Sequence, residues 1–128
     1  MRTFNQTIAT NVPLNANYNS PYVPLRNIYM YSMAAIITGT PTGTLKIQAS
    51  NDPETNDTQY NTTAGVPPAV GPTNWVDITD SSFPVTSSGE TMWNVRYIGY
   101  NYVRVVYTDS SGGTSTATMK IVFNGKGS

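Results

Sequence analysis

The chain has 128 residues, seven basic and seven acidic, so its net charge is zero and its charged fraction is only 11%. An average globular chain carries about 25% charged residues, and this balance supplies no field to steer the protein to nucleic acid or an anionic membrane. There is no cysteine and no histidine, which excludes disulfides, thiolate chemistry and His-dependent triads, and removes the commonest general base and metal ligand.

The length fits one domain with an unaided core. Thr, Ser and Asn carry the polarity in place of ions, and with 10 Gly and 9 Pro the composition leans all-β. Uncharged hydrogen-bonding groups are cheaper to desolvate than ions, so such a surface suits lasting contact with other protein. The opening MRTFNQTIAT has no apolar h-region, and no run of 18 apolar residues occurs. Synthesis in a cytoplasm without a secretion signal is expected. The Asn-x-Thr sequons at Asn5, Asn56 and Asn61 are what chance gives in a chain this rich in Asn and Thr.

Residues 1–27 are polar, with Pro13, Pro21 and Pro24 opposing any helix. TFNQTI (3–8) reads as a short strand, and the rest as an extended N-terminal arm able to lie on a neighbouring subunit. Residues 28–37, IYMYSMAAII, are apolar on both faces and read as a strand covered on both sides. The turn cluster Thr38 to Gly43 then leads into GTLKIQAS (43–50), where Leu45, Ile47 and Ala49 alternate with Lys46, Gln48 and Ser50. The two strands are expected to form a hairpin. Residues 51–73 show no periodicity and read as one long loop of the kind usually tied to function or an interface. In the short strand from Asn74, Trp75 and Asp77 point one way and Val76 and Ile78 the other. Residues 91–97 place Trp93, Val95 and Tyr97 on one face. Residues 100–107 place Val103, Val105 and Tyr107 on one face and Tyr102 and Arg104 on the other. Residues 115–123 turn Ala117, Met119, Ile121 and Phe123 inward in strict period two. Short strands separated by turn signals describe an antiparallel, jelly-roll-like β-sandwich over 28–128.

The candidate chemistry is thin. Asp52, Glu54 and Asp57 cluster, but the Asp-Pro-Glu order and the missing Gly spoil a calcium-loop pattern, and Asp52-Pro53 suits a turn. Asp77, Asp80, Glu90 and Asp109 are the carboxylates a glycosidase would need. Asp80 and Asp109 sit in Ser-rich turns, where Asp bonds its own backbone, and only Asp77, beside Trp75, resembles a sugar site. No catalytic residue, cofactor or metal is assigned, and the chain is not expected to be an enzyme. Tyr97, Tyr100, Tyr102 and Tyr107 interleave with Arg96 and Arg104; cross-strand packing is the plainer reading, and those facing outward suit a protein interface.

Three segments resemble a recurrent type of small tailed-phage structural protein. They are Gln48 to Asp52 (Q-x-S-N-D), Trp75 to Ile78 (W-x-D-I), and Tyr102 to Tyr107 followed by a last strand ending in Asn124, Lys126 and Gly127. The resemblance covers residues 43–127. It implies a β-sandwich virion component, first of all a head decoration or cement protein. Such a protein would be a homotrimer over junctions of the major capsid protein, assembled in the host cytoplasm. Tail, neck or fibre modules are the alternative, with host-glycan binding through Trp75, Asp77, Tyr60 or Tyr102. On either reading the expected contact residues are Phe4, Tyr18, Tyr22, Tyr29 and Tyr31 in the first part. Tyr60, Pro67 and Pro68 of the loop, with Tyr102 and Arg104, complete them. No nucleic acid or membrane partner is expected.

Overall fold

The computed structural model describes residues 2–52 and 72–127, which form ten strands and no helix. These are β1 (Arg2–Pro13), β2 (Tyr18–Asn19), β3 (Val23–Pro24), β4 (Ile28–Thr38), β5 (Gly43–Ser50), β6 (Val76–Asp77), β7 (Phe83–Val85), β8 (Gly89–Arg96), β9 (Tyr102–Asp109) and β10 (Thr118–Gly127). They build an antiparallel β-sandwich, as the alternation of the sequence predicts. The first sheet has the order β1-β10-β4-β8. The second has the order β2-β9-β5-β6, with β3 also on β9 and β7 also on β5.

Period two puts one apolar row per strand between the sheets. In the first sheet Met33 lies between Phe123 and Trp93, and Ala35 faces Ile121. In the second, Leu45 faces Tyr107, Ile47 faces Val105 and Ala49 faces Val103. All of these side chains are buried. Tyr107, Trp93 and Ser81 all find partners for their polar atoms, whereas among the described residues the Asn124 Oδ1 atom is buried without one. The Tyr107 hydroxyl lies 3.3 Å from the Leu14 carbonyl oxygen and 3.2 Å from that of Thr42. Trp93 Nε1 donates to Ser81 O at 2.8 Å, and the Ser81 hydroxyl donates to Ile78 O at 2.7 Å. Trp93 thus ties the edge of one sheet to the loop of the other.

Three sequence expectations change. First, β4 and β5 are not a hairpin: β4 pairs with β10 and β8, whereas β5 pairs with β9, β6 and β7. The link between them holds Gly39 (φ 101°) and buried Pro41, and carries the chain from one sheet to the other. Second, Tyr97 does not extend the inward row of Trp93 and Val95. β8 ends at Arg96, and Tyr97 at φ 59° swings out to 94% exposure. Third, the strand read at 3–8 runs on through Pro13, paired with β10 across two register shifts. Proline is tolerated there because β1 is an edge strand that needs no donor on its outer side. Val12, Leu14, Val23 and Leu25 are buried, so the described part of 1–27 is built into the sandwich.

Gly43 shows how closely the second sheet packs. A Cβ there would sit 2.5 Å from the Thr108 carbonyl oxygen and equally close to the Tyr107 phenol. Gly43→Ala is expected to destabilise the fold by about 1–3 kcal/mol, read as a lower urea midpoint at unchanged slope. An unchanged midpoint would show that this corner is loose.

Candidate functional site: the outer face of the second sheet

The connection from β5 to β6 joins neighbouring strands of one sheet, and Asp52 closes its base. The Asp52 carboxylate accepts from Thr73 N (2.7 Å), Asn74 N (3.0 Å) and Asn74 Nδ2 (2.9 Å). Asn101 Nδ2 donates to Asp52 O at 3.0 Å, and Asn101 N donates to Ser50 O. The Asn74 side chain, then the backbone amides of Asn74 and Thr73, hold the Asp52 pKa below the ordinary aspartate value. The acid therefore acts as an anion clasped by amides.

Beside this clasp the outward row of β5 meets those of β6 and β9. Asp77 Oδ2 accepts from Lys46 Nζ at 3.0 Å and Oδ1 from Gln48 Nε2 at 2.8 Å. Gln48 Oε1 in turn accepts from Arg104 Nε (3.0 Å) and Nη2 (2.7 Å). The Arg104 guanidinium lies 4.3 Å from the centroid of the Trp75 ring, whose Nε1 donates to Pro72 O at 3.1 Å. The Gln48 and Lys46 hydrogen bonds lower the Asp77 pKa. Both oxygens of Asp77 are engaged, and a cation covers one face of Trp75. The arrangement holds a surface in one shape; it leaves no poised acid or base.

The remaining acids are used locally. Asp109 accepts from Ser111 N (2.9 Å), the Ser111 hydroxyl (2.6 Å) and Gly113 N (3.1 Å), which shapes the turn as its sequence suggests. Asp80 sits in a turn at φ 62°, and Glu90 is exposed on β8. No group of three or more potential metal ligands occurs among the described residues. Glu54, Asp57, Tyr60, Pro67 and Pro68 lie outside the described residues.

The structure spreads the expected contact residues widely. Tyr22 and Tyr29 are exposed, at 44% and 41%. Tyr22 meets Tyr102 edge to face at 5.3 Å, and Tyr102 itself is buried. Tyr31 is an interior residue: it stacks on Phe123, and its hydroxyl lies 2.8 Å from that of Tyr100. Burial and that bond push the Tyr31 pKa up. Phe4 and Tyr18 are half-buried, and the Arg2 guanidinium caps Phe4. Sequence reasoning brought Trp75 and Asp77 together and did not see Lys46, Gln48 or the Asp52 partners. For the first two the signal was present, since both occupy outward positions of β5.

No protein-family model matches the chain, and no curated protein matches it. Among solved structures it is similar to the SPBc2 prophage-derived protein YomS, with a TM-score of 0.54 at 12% identity, covering 97% of this chain and 92% of that one. It also aligns with the Tobacco streak virus coat protein, as a dimer with a TM-score of 0.46 at 7% identity. That alignment covers 99% of this chain and 86% of the coat protein. The likeness to the prophage protein is one of fold.

Two outcomes are expected at this face. A carboxylate whose folded pKa is depressed gives its full stabilisation above the ordinary value near 3.9 and loses it as pH falls through the lowered one. The Thr73 and Asn74 amide resonances should therefore hold constant through mild acid and move with a midpoint below that of an ordinary aspartate. A midpoint at or above the ordinary range would mean that the clasp does not form. Gln48→Ala removes the link between Asp77 and Arg104 and is expected to cost about 1 kcal/mol. Freed of its anchor, Arg104 should also leave Trp75, changing indole fluorescence; an unaltered spectrum would contradict the stacking.

Proposed function

We propose that this chain is a structural component of a virus particle, and within that class a phage head decoration protein that binds at junctions of the major capsid protein. The fold shared with a prophage-derived protein, over nearly the whole of both chains, is the observation that carries this reading. A fold alone does not give a function, so the chemistry of the surface matters as well. At the outer face of the second sheet Asp77 is held by Lys46 and Gln48 and the Trp75 ring is covered by Arg104, which suits a rigid contact surface better than a site of turnover. The strand order also supports reading the sandwich as a jelly roll. With β2 and β3 taken as one interrupted strand, and β6 and β7 as another, eight strands remain. All connections but the one between β5 and β6 then cross between the sheets.

On this reading the exposed tyrosines Tyr22 and Tyr29 are contact residues on the capsid or on a neighbouring copy. Aromatic side chains of this kind anchor interfaces when water is excluded around them. Binding would add a little stability at each of many copies.

The test is occupancy. Quantitative mass spectrometry of purified particles is expected to find the chain in numbers comparable to the major capsid protein. A count near that of tail or neck components would instead make it a connector. Tyr29→Ala should lower occupancy on heads while leaving the melting temperature of the free protein almost unchanged, and Tyr22→Ala should lower occupancy together with a small loss of stability from its contact with Tyr102. Full occupancy by both variants would remove them from the contact.

A further inference from the structure

The four sheet edges are treated differently. β1 is an edge broken by two register shifts, with Asn11 at φ 53° and Pro13 at its end. The edges of the second sheet are short: β2, β3 and β6 have two residues each, and β7 has three, with Pro24 and Pro84 among them. Bulges, prolines and short strands are the devices that stop an edge from pairing with another chain. β8 has none of them. It runs eight residues, GETMWNVR, pairs with β4 without a register shift, and has no other strand partner among the described residues. Alternate backbone N–H and C=O groups on its free side are thus left for water or for another strand.

The side chains of β8 specify what that strand would be. Thr91, Trp93 and Val95 face the core, while Glu90, Met92, Asn94 and Arg96 face out. The two ends of the outward row carry opposite charge, and neither Glu90 nor Arg96 has an ion-pair partner among the described residues. Antiparallel pairing of β8 with its own copy, centred on Trp93, sets Glu90 opposite Arg96 of the second copy and Met92 opposite Asn94. By symmetry each of these pairs occurs twice. A slip of one residue would put outward side chains opposite inward ones, and a slip of two would part the charges.

We propose that β8 is a self-complementary edge through which two copies of this chain pair about a two-fold axis at Trp93, joining their first sheets into one continuous sheet. Trp93 remains in its own core, bonded to Ser81 O, so neither copy has to unfold. Met92, half exposed in the single chain, gains cover from the second copy. The contact is isologous and closes at two chains. It is therefore not the threefold contact that the phage resemblance implies; in a trimer it would link one trimer to the next. The inference stands on the fold and not on the virion reading.

The test uses the full chain and sedimentation over a concentration series. A reversible two-chain species is expected. Glu90→Arg and Arg96→Glu should each weaken it by about tenfold, because each sets like charges opposite one another twice. The double variant E90R/R96E should restore it, because the swapped charges meet again in the same register. Both sites are exposed, so the melting temperature of the dilute single chain is the control for folding. Register is read separately, since the chain has no native cysteine. Met92→Cys chains mixed with Asn94→Cys chains should cross-link under mild oxidation far faster than Met92→Cys chains alone. A single chain at every concentration, or a trimer insensitive to all three charge variants, would overturn the proposal. So would a double variant no better than either single one. Head occupancy would be untouched by any of these results unless β8 also meets the capsid.

Discussion

Everything in this fold depends on two strands from the end of the chain. β10 lies between β1 and β4, and β9 lies between β5 and the interrupted pair β2 and β3. Each is hydrogen-bonded on both sides and contributes a full inward row. Neither sheet is complete until the last third of the chain has been placed, and nearly every pairing joins segments distant in sequence. Such a topology closes large loops before its contacts reward them, which slows folding relative to local pairings. Specificity must then come from the rows themselves. That accounts for the clear alternation of β5 and β10, where one residue of slip would turn the whole core face outward.

The same constraint explains what could be read from the sequence. Period two reports the face of a side chain, so the buried rows Leu45, Ile47 and Ala49, then Val103, Val105 and Tyr107, then Met119, Ile121 and Phe123 were legible. It does not report which strand lies alongside. β4 and β5 are close in sequence, with turn residues between, and look like a hairpin; only the sandwich shows that the turn crosses between sheets. Backbone conformation was hidden too. Nothing in TMWNVRY marks Tyr97 as the residue at φ 59° that leaves the strand. Residue type misled in the same way for Tyr31 and Tyr102. Tyrosine suits an interface because it has an apolar body and a polar tip, and the same properties let it stack inside once the hydroxyl finds a partner, as Tyr31 does with Tyr100.

At the outer face of the second sheet, the acids illustrate how a chain with few charges uses them. The Asp52 partners lie 21 and 22 residues further along the chain, so no local pattern could have announced them. Asp52 closes the base of a long connection, Asp109 shapes a turn, and Asp77 joins Lys46 to Gln48. Each carboxylate satisfies several donors at once, and an anion does this better than a neutral acceptor can. Exposed isolated pairs add little stability, so the value of these groups is geometric. They hold loops and outward side chains in one arrangement, and a surface held rigid loses less entropy when another molecule docks on it.

The treatment of the edges bears on the same point. A sandwich has open strand edges, and a low-charge exterior cannot keep copies apart by repulsion. Three of the edges are made poor templates by shifts, prolines or brevity. β8 is kept straight and long, although such an edge invites uncontrolled pairing unless something limits it. Here the limit is the placement of charge. Backbone groups can pair with any strand, but Glu90 and Arg96 at opposite ends of one face meet opposite charges only in a single antiparallel register. A parallel copy in register would set like against like at both ends. Affinity from the backbone and selection from two side chains are separable in this design. That separation allows a nearly neutral protein to associate with itself without aggregating.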